Sequence, residues 1–478
     1  MSNQDEVVFS AFDNPSTNEV NTNNIKTSNG KSIKILIILI FLLIIIALGL
    51  LIFFLYETEA PVNEFESKIT LKIQVINPAF TVKLIDETFL KFIKKINIDN
   101  EKTINENSFF FNSTGVHIAE IFFNESLNNT IEMFYNCINV TEIDLSKFKT
   151  KNLLSTAFMF ERCLELKKIN FSNFDTSLTI DMSSMFKNCK SLLAFEKFDF
   201  SPKKVENISE MFLNCINIKS INLNIESKNI INMNNLFADC SSLTSVNLNN
   251  LNTNKVNDMS NLFYGCSSLK EIDLSKFNTN NVVNMNGMFD GCTKLEKLSL
   301  ENFDTSKVQN MFFMFADCIS LTSLYIDNFK TEKTVDMFGM FQNCSSLTSV
   351  NLQLFKTLNV TDMGNMFRNC RAMQQIEVNN FSTNNLNYMN GMFTNCSNIT
   401  SINLTGLNME KVEDMSYLFT DCEKLNNIDL TKVNTMSVSN FTDIFKGVSE
   451  SGTIYYTSDC MKEEIVGEIP KSWTKLNP

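Results

Sequence analysis

Residues 285–305 read MNGMFDGCTKLEKLSLENFDT, and this pattern of apolar residues returns at a fixed interval along most of the chain. In every copy a Phe stands three residues before a Cys. Twelve cysteines hold this register, 26 residues apart except for one step of 25; they are Cys137, Cys163, Cys189, Cys215, Cys240, Cys266, Cys292, Cys318, Cys344, Cys370, Cys396 and Cys422. A constant period of this length is typical of one supersecondary unit copied and stacked, so the sequence predicts a solenoid.

A single repeat predicts a short helix followed by a short strand. Before the cysteine, apolar residues such as Met259, Phe263 and Cys266 recur at spacings of three, four and seven, which favours one face of a helix. After it, Ile272 and Leu274 alternate with polar residues, as in a half-buried strand. One repeat buries too few apolar side chains to offset the entropy lost on ordering its backbone, so each repeat needs neighbours and the two ends need caps.

The repeat resembles a known family. The phrase MxxMFxxCxxLxxIxLxxFxT, at residues 285–305 and again at 363–383 with Met373 in place of the first Leu, is similar to repeats of BspA-like leucine-rich-repeat surface proteins. The resemblance covers residues from about 130 to 457, and the segment 454–456 followed by Trp473 is similar to the family's end cap. It implies an α/β, leucine-rich-repeat-like solenoid with a parallel β-sheet on one face and short helices on the other. It also implies adhesion or ligand binding at a cell surface, without catalytic residues.

An apolar stretch precedes the repeats. Residues 35–56 carry no charged side chain and are almost wholly Ile, Leu and Phe, which is long enough for a bilayer core of about 30 Å. Lysines precede the stretch and glutamates follow it, so the positive-inside rule predicts a single-pass type II signal-anchor. The expectation is therefore a plasma-membrane protein whose transmembrane helix lies within residues 33–56 and whose repeats are extracellular.

Composition and register predict the other divisions of the chain. Residues 1–32 are rich in Asn, Ser and Thr and are predicted to be a disordered cytosolic tail. Residues 57–129 are interpreted as a spacer and N-terminal cap. Residues 130–447 hold twelve full repeats and a degenerate thirteenth, in which Phe445 keeps the register but Val448 replaces the cysteine. Residues 448–478 are predicted to form the C-terminal cap.

Charge and residue types argue against several function classes. The net charge of -12 makes nucleic acid a poor partner. His117 is the only histidine, so Ser-His-Asp or Cys-His catalysis would depend on it, and its place before the first full repeat favours a surface or cap role. We predict no enzyme activity, although chemistry by carboxylates alone stays open.

The cysteines predict packing rather than chemistry. One Cys per repeat, without paired ligands, fits neither a zinc site nor a disulfide framework, because equivalent residues in stacked layers lie too far apart to be bridged. A column of buried thiols is the favoured interpretation, with no cofactor or metal. Cys460 lies outside the register and makes the total 13, and we expect an unpaired thiol in the cap.

The predicted sheet supplies the candidate binding surface. In a parallel sheet the residues seven positions after each cysteine would point outward in one column, at about 4.8 Å spacing. The candidate ligand-binding residues in this column are Asp144, Asn247, Asp273, Tyr325, Asn351, Glu377, Asn403 and Asp429. Such a polar, mildly acidic face predicts binding of a protein or glycan, in adhesion or recognition. A structural coat protein that self-associates is the alternative, and a solvated face without a partner stays open. Many N-x-S/T triplets also predict a glycoprotein.

Overall fold

The computed structural model describes residues 40–48, 67–195 and 202–478. The chain divides into two compact units, Met1–Phe65 and Glu66–Pro478. In the first unit, residues 40–48 are helical and exposed. The second unit is a β-solenoid whose rungs are named here by their cysteines.

The predicted membrane anchor is wrong. Nowhere in the described ranges is there a helix that is both long enough and apolar enough to cross a membrane. Of the predicted span, residues 40–48 are described and are helical. The rest of the stretch 35–56, and the predicted tail 1–32, lie outside the described residues. The type II topology, the signal-anchor and the plasma-membrane location are therefore not supported.

The N-terminal part of the second unit is mostly antiparallel. Its strands are β1 (Lys68–Val75), β2 (Thr81–Lys83), β3 (Ile93–Ile98), β4 (Lys102–Ile104), β5 (Ser108–Phe110), β6 (Gly115–Phe123), β7 (Leu127–Asn129), β8 (Val140–Lys147), β9 (Thr150–Ser155) and β10 (Lys168–Asn170). A 3-10 helix, Glu87–Phe92, precedes β3. One six-stranded sheet has the order β10-β8-β1-β6-β3-β4, in which β1 pairs antiparallel with both β6 and β8. Alternate residues of β1 are buried, so its inner side covers the start of the core.

Short parallel strands follow along the solenoid. They are β11 (Ala194–Phe195), β12 (Ser220–Asn222), β13 (Ser245–Asn247), β14 (Lys297–Ser299), β15 (Ser323–Tyr325), β16 (Ser401–Asn403), β17 (Asn427–Leu430), β18 (Thr453–Tyr456) and β19 (Thr474–Leu476). A helix, Glu463–Glu468, connects β18 to β19. Equivalent residues pair between rungs, as Ser299 does with Tyr325 and Asn403 with Asp429. These strands make three separate sheets, β11 to β13, β14 to β15 and β16 to β19.

The predicted short helices on the second side of the solenoid are wrong, and the α/β class is corrected to a β-solenoid with very little helix. The nine residues before each cysteine form turns and isolated β-bridges instead, with β7 and β9 in place of the bridge in the first two rungs, and we call this side the bridge face. Alternate N–H groups donate to the next rung: Met285 to Asn310 O (3.1 Å), and Phe289 to Met314 O (2.9 Å). An α-helix would send those N–H groups to carbonyls four residues back in the same rung.

Left-handed residues explain why a helix cannot form on the bridge face. In every rung the residues five and one positions before the cysteine have positive φ, as at Asn261 (53°) and Gly265 (67°). Most of these positions hold Asn, Asp or Gly, the residues that tolerate this conformation best. Two left-handed residues four positions apart end any helical path, although the apolar spacing is the same as in a helix.

The core lies between the two faces as columns of identical side chains. Phe289 stacks on Phe263 and on Phe315, with ring centroids 5.8 Å apart in both pairs. The Cys292 thiol donates to the carbonyl oxygen of Phe263 at 3.2 Å, and this bond repeats along the stack. The predicted column of twelve buried, free thiols is confirmed, while Cys460 is only partly buried.

Candidate functional site

The eight predicted site residues lie on the outer side of the strand-bearing face, which we call the sheet face. Seven are exposed and Asp429 is half-buried. Tyr325, Asn351, Glu377, Asn403 and Asp429 occupy five consecutive rungs, so the fold brings them into one row. The other three are separated from this row. Asp144 lies in the first rung, and Asn247 and Asp273 lie on neighbouring rungs near the middle of the stack.

Most of these side chains have a structural role that the sequence reasoning missed. The Oδ1 of Asp273 accepts from the N–H of Ser275 (2.9 Å), which closes the turn that follows the strand position. The same bond is made by Asp144, Asn247, Asn351, Asn403 and Asp429. The hydroxyl and N–H of Ser275 lower the pKa of Asp273, which keeps this carboxylate charged. A ligand can therefore use only the outward lone pairs or amide protons of these six residues.

Tyr325 and Glu377 differ from the rest of the row. Neither side chain has the short Asp or Asn geometry that closes the turn two residues on. Tyr325 is 49% exposed, and Glu377 is exposed two rungs away. Within the row, Tyr325 and Glu377 are therefore the residues whose outward polar groups do not accept the turn-closing hydrogen bond.

A break in the sheet lies beside Tyr325. Residues 349–351 and 375–377 form no strand, so the sheet stops after β15 and resumes at β16. A concavity of about 390 Å³ opens at this break, and its lining includes Asn351, Gln353, Gln375, Glu377 and Asn379. The lining holds amides and one carboxylate without Lys or Arg. It therefore offers both donors and acceptors with little net charge.

A second break is lined differently. Residues 271–273 form no strand between β13 and β14, and a concavity of about 530 Å³ lies there. Its lining includes Lys270, Lys294, Lys297 and Glu296, and the Lys270 ammonium lies 3.8 Å from the Glu296 carboxylate. Both side chains are largely exposed, so this ion pair contributes little to stability. The predicted site residue Asp273 belongs to this break but not to the concavity lining.

A third concavity lies at the N-terminal end and has no counterpart in the sequence reasoning. It measures about 660 Å³ and is bordered by Phe89, Phe92, Ile131, Lys91 and Lys151. The Lys91 ammonium lies 4.8 Å from the ring centroid of Phe92. Apolar residues from the cap and from the first rung meet here only in three dimensions, because Phe89 and Ile131 are 42 residues apart in the chain.

Metal-binding groups and His117 are the remaining candidates for site chemistry in the described ranges. Within them no group of three or more His, Cys, Asp or Glu side chains is placed to hold a metal ion. His117 Nδ1 lies 2.8 Å from Asp99 Oδ2, and its ring centroid lies 4.5 Å from that of Phe111. These contacts fix the imidazole in the N-terminal sheet, as expected of a cap residue.

Stacked rungs with a polar, interrupted sheet face define a repeat β-solenoid of a kind suited to recognition. The family model described as "Mycoplasma protein of unknown function, DUF285" matches residues 102–225, 194–294, 231–353 and 336–454. These matches overlap from residue 102 to residue 454, so the chain belongs to the DUF285 family. A search of the curated proteins finds no match. The narrower BspA-like assignment is not confirmed by these findings.

Proposed function

We propose that this protein is a recognition module that binds a glycan or protein ligand on its sheet face, at the break between β15 and β16. The observation that carries the proposal is the amide-lined concavity at this break, with the exposed Tyr325 one rung before it and outside its lining. Ligand sites are concave, with a few polar groups that fix orientation and apolar or aromatic groups that supply contact area.

The lining favours a neutral glycan over a charged ligand. Sugar hydroxyls both donate and accept, as do the amides of Gln353, Gln375 and Asn379, while Glu377 can only accept when ionised. The face of the Tyr325 ring offers the apolar C–H groups of a sugar a flat surface. A protein ligand would use the same groups through its backbone amides.

Binding of the full chain to an array of neutral oligosaccharides, followed by calorimetry with the best binder, tests the proposal. We expect Tyr325→Ala to weaken binding about tenfold, and Glu377→Gln to weaken it less. Tyr264→Ala is the matched control, because Tyr264 is 40% exposed but lies on the bridge face. Equal affinity of the wild type and both sheet-face variants would remove the site assignment.

Self-association into a coat is the second proposal. The edge strand β19 is exposed at all three of its residues, and an unpaired edge can add a strand from another copy. Light scattering of the purified chain over a concentration range should show growing assemblies if this proposal holds. A constant monomer mass up to high concentration would contradict it.

A further inference from the structure

The bridge face has a charge pattern of its own. We call the five residues from nine to five positions before each cysteine, or before Val448 in the last rung, the acidic strip. It holds no Lys or Arg in any of the thirteen rungs, although the chain has 41 such residues. Ten carboxylates lie in it: Glu132, Asp181, Glu206, Glu210, Asp258, Asp336, Asp362, Glu413, Asp414 and Asp443.

Lysines border the strip without entering it. Lys307 and Lys411 stand two residues before the strip in their rungs. The Lys307 ammonium donates to Asn281 Oδ1 (2.7 Å) and the Lys411 ammonium to Asn385 Oδ1 (2.8 Å), each in the preceding rung. These two cations are held along the corner of the solenoid by amides, whereas Lys187 pairs with Glu210 (2.6 Å) and Lys446 with Asp443 (3.0 Å) of the strip.

Aromatic side chains lie in the strip singly at Phe158 and Phe441, and five of them cluster from the rung of Cys318 to the rung of Cys422. These five are Phe312, Phe313, Phe338, Tyr388 and Tyr417. The Phe338 ring centroid lies 5.6 Å from that of Phe312 and 5.4 Å from that of Phe313, and all three residues are half-buried. Tyr388 is 43% and Tyr417 42% exposed. This part of the face therefore presents ring surface to the outside.

The backbone at two of these aromatics is unusual. Phe313 has φ 53° and Tyr417 has φ 59°, in the left-handed region that disfavours bulky residues. The equivalent position holds Gly339 in the rung after Phe313 and Gly391 in the rung before Tyr417, and glycine adopts this conformation at less cost. Asn or Gly at these two positions would give a more stable fold, because the two rings are not part of the buried core and do not offset the cost of the left-handed backbone.

The carboxylates also exceed what the fold requires. Asp336, Asp362 and Asp414 each accept from the N–H two residues on, at 2.8 to 2.9 Å. Asn310 makes the same bond in its rung, so an uncharged amide closes this turn equally well. Burial raises the pKa of Asp362, the Gly364 N–H opposes this, and the charges of Asp336 and Asp414 raise it further. The three carboxylates therefore repel one another across the stack.

We propose that the acidic strip between Phe312 and Tyr417 docks a basic polypeptide segment in extended conformation. Its Lys and Arg side chains would pair with Asp336, Asp362 and Asp414 and lie over the neighbouring rings. The five rungs span about 19 Å at 4.8 Å per step, which matches about six extended residues at 3.3 Å each. The same negative strip repels nucleic acid and anionic lipid surfaces.

Fluorescence anisotropy with the full chain tests this docking surface. The probes are a fluorescein-labelled peptide of three Arg-Gly-Lys-Gly units and a matched Glu-Gly peptide. We expect saturable binding of the basic peptide only, weakened by added salt. The triple variant Asp336→Asn, Asp362→Asn, Asp414→Asn should weaken binding about tenfold, because it keeps the turn-closing bonds and removes three charges.

A second variant separates docking from folding. Phe313→Asn with Tyr417→Asn should weaken peptide binding about fivefold and leave the thermal midpoint equal or higher, since Asn fills the equivalent position in the rungs of Cys240, Cys266 and Cys370. Asp181→Asn with Asp258→Asn is the matched control in two rungs whose own strip residues include no aromatic side chain, and it should bind as the wild type does. Equal weakening by the control and the triple variant, or wild-type binding by the triple variant, would overturn the proposal. Tyr325→Ala should not change peptide binding, so this test is independent of the sheet-face proposal.

Discussion

The two faces of the solenoid are held together in different ways. On the bridge face, one β-bridge per rung continues from Ser155 to Asn440 without a break. On the sheet face, strands of two to four residues make separate sheets beyond β10, with breaks at 271–273 and at 349–351 with 375–377. The comparison indicates that the bridge face carries the continuity of the stack. Because the bridge face holds the rungs together, the strands of the sheet face can be interrupted, and the interruptions form concavities in which side chains can contact a ligand.

Proline substitutions should give the largest difference between the faces. The Gln309 N–H donates to Val283 O (2.9 Å) on the bridge face, and its side chain is exposed. Gln309→Pro removes this bond, and we expect a loss of about 3 kcal/mol in the free energy of unfolding. Ser349→Pro, in the break of the sheet face, should cost about 1 kcal/mol or less. Urea unfolding followed by circular dichroism measures both, and equal losses would contradict the comparison.

The left-handed positions allow a stabilising change on the bridge face. Arg162 is exposed and has φ 61°, at a position that holds Asn in the rungs on both sides. Arg162→Asn should raise the free energy of unfolding by about 1 kcal/mol, because Asn tolerates this conformation better. Lys168→Asn in strand β10 is the control and should bring no gain. A gain at both positions would point to a charge effect instead of a backbone effect.

The two faces should also respond differently to pH. Burial and the charge of Asp317 raise the pKa of Asp290 on the bridge face from 3.8 to about 7. Its ionisation therefore opposes folding, and stability is lost as the pH rises from about 4 through 7. Asp290→Asn should raise the thermal midpoint by about 1–3 °C at pH 8 and have no effect at pH 4.

Asp273 on the sheet face is the control for this pH effect. Its pKa is lowered by the hydroxyl and N–H of Ser275, so its ionisation favours folding above the ordinary pKa, and that contribution is lost as the pH falls. Asp273→Asn should bring no gain at pH 8. A gain equal to that of Asp290→Asn would show that general charge repulsion, and not local burial, sets the effect.

The smallest effect concerns the thiols between the faces. Burial raises the pKa of Cys163 and Cys215 to about 12, and the thiolate is the reactive form. A thiol reagent should label one site per native chain, Cys460, and thirteen after unfolding in urea. Cys460→Ser should abolish native labelling and change stability by less than about 0.5 kcal/mol. Labelling of several sites in the native chain would show that the two faces open often enough to expose the buried thiols to solvent.

The sequence allowed the core to be predicted more fully than the surface. Because every rung repeats Phe, Cys and a large aliphatic residue or Met at one spacing, the buried columns around Phe289 and Cys292 were predictable from the period alone. The outward position of Tyr325 and Glu377 was predictable for the same reason, since alternate residues of a strand face opposite sides. The breaks of the sheet were not, because the residues at 349–351 and 375–377 keep the repeat pattern.

The bridge face shows where apolar spacing misleads. Spacings of three, four and seven fit a helix, and they equally fit a turn whose N–H groups donate to the next rung. The Asn, Asp and Gly residues at positions five and one before the cysteine were the available signal against a helix. The candidate site was predicted as a row of eight residues, yet six of them close turns, and that role depends on backbone geometry.

By itself, the sequence determined that identical units stack, which side chains they bury and which register they share, because a strict period leaves no other way to cover the apolar residues. Only the tertiary structure decided that bridges replace helices, since alternate backbone N–H groups of the bridge face donate to carbonyls about 25 residues away in the next rung. It also decided where the sheet opens beside Tyr325 and where aromatic rings meet carboxylates on the bridge face. Those features depend on contacts between rungs, which no single repeat encodes.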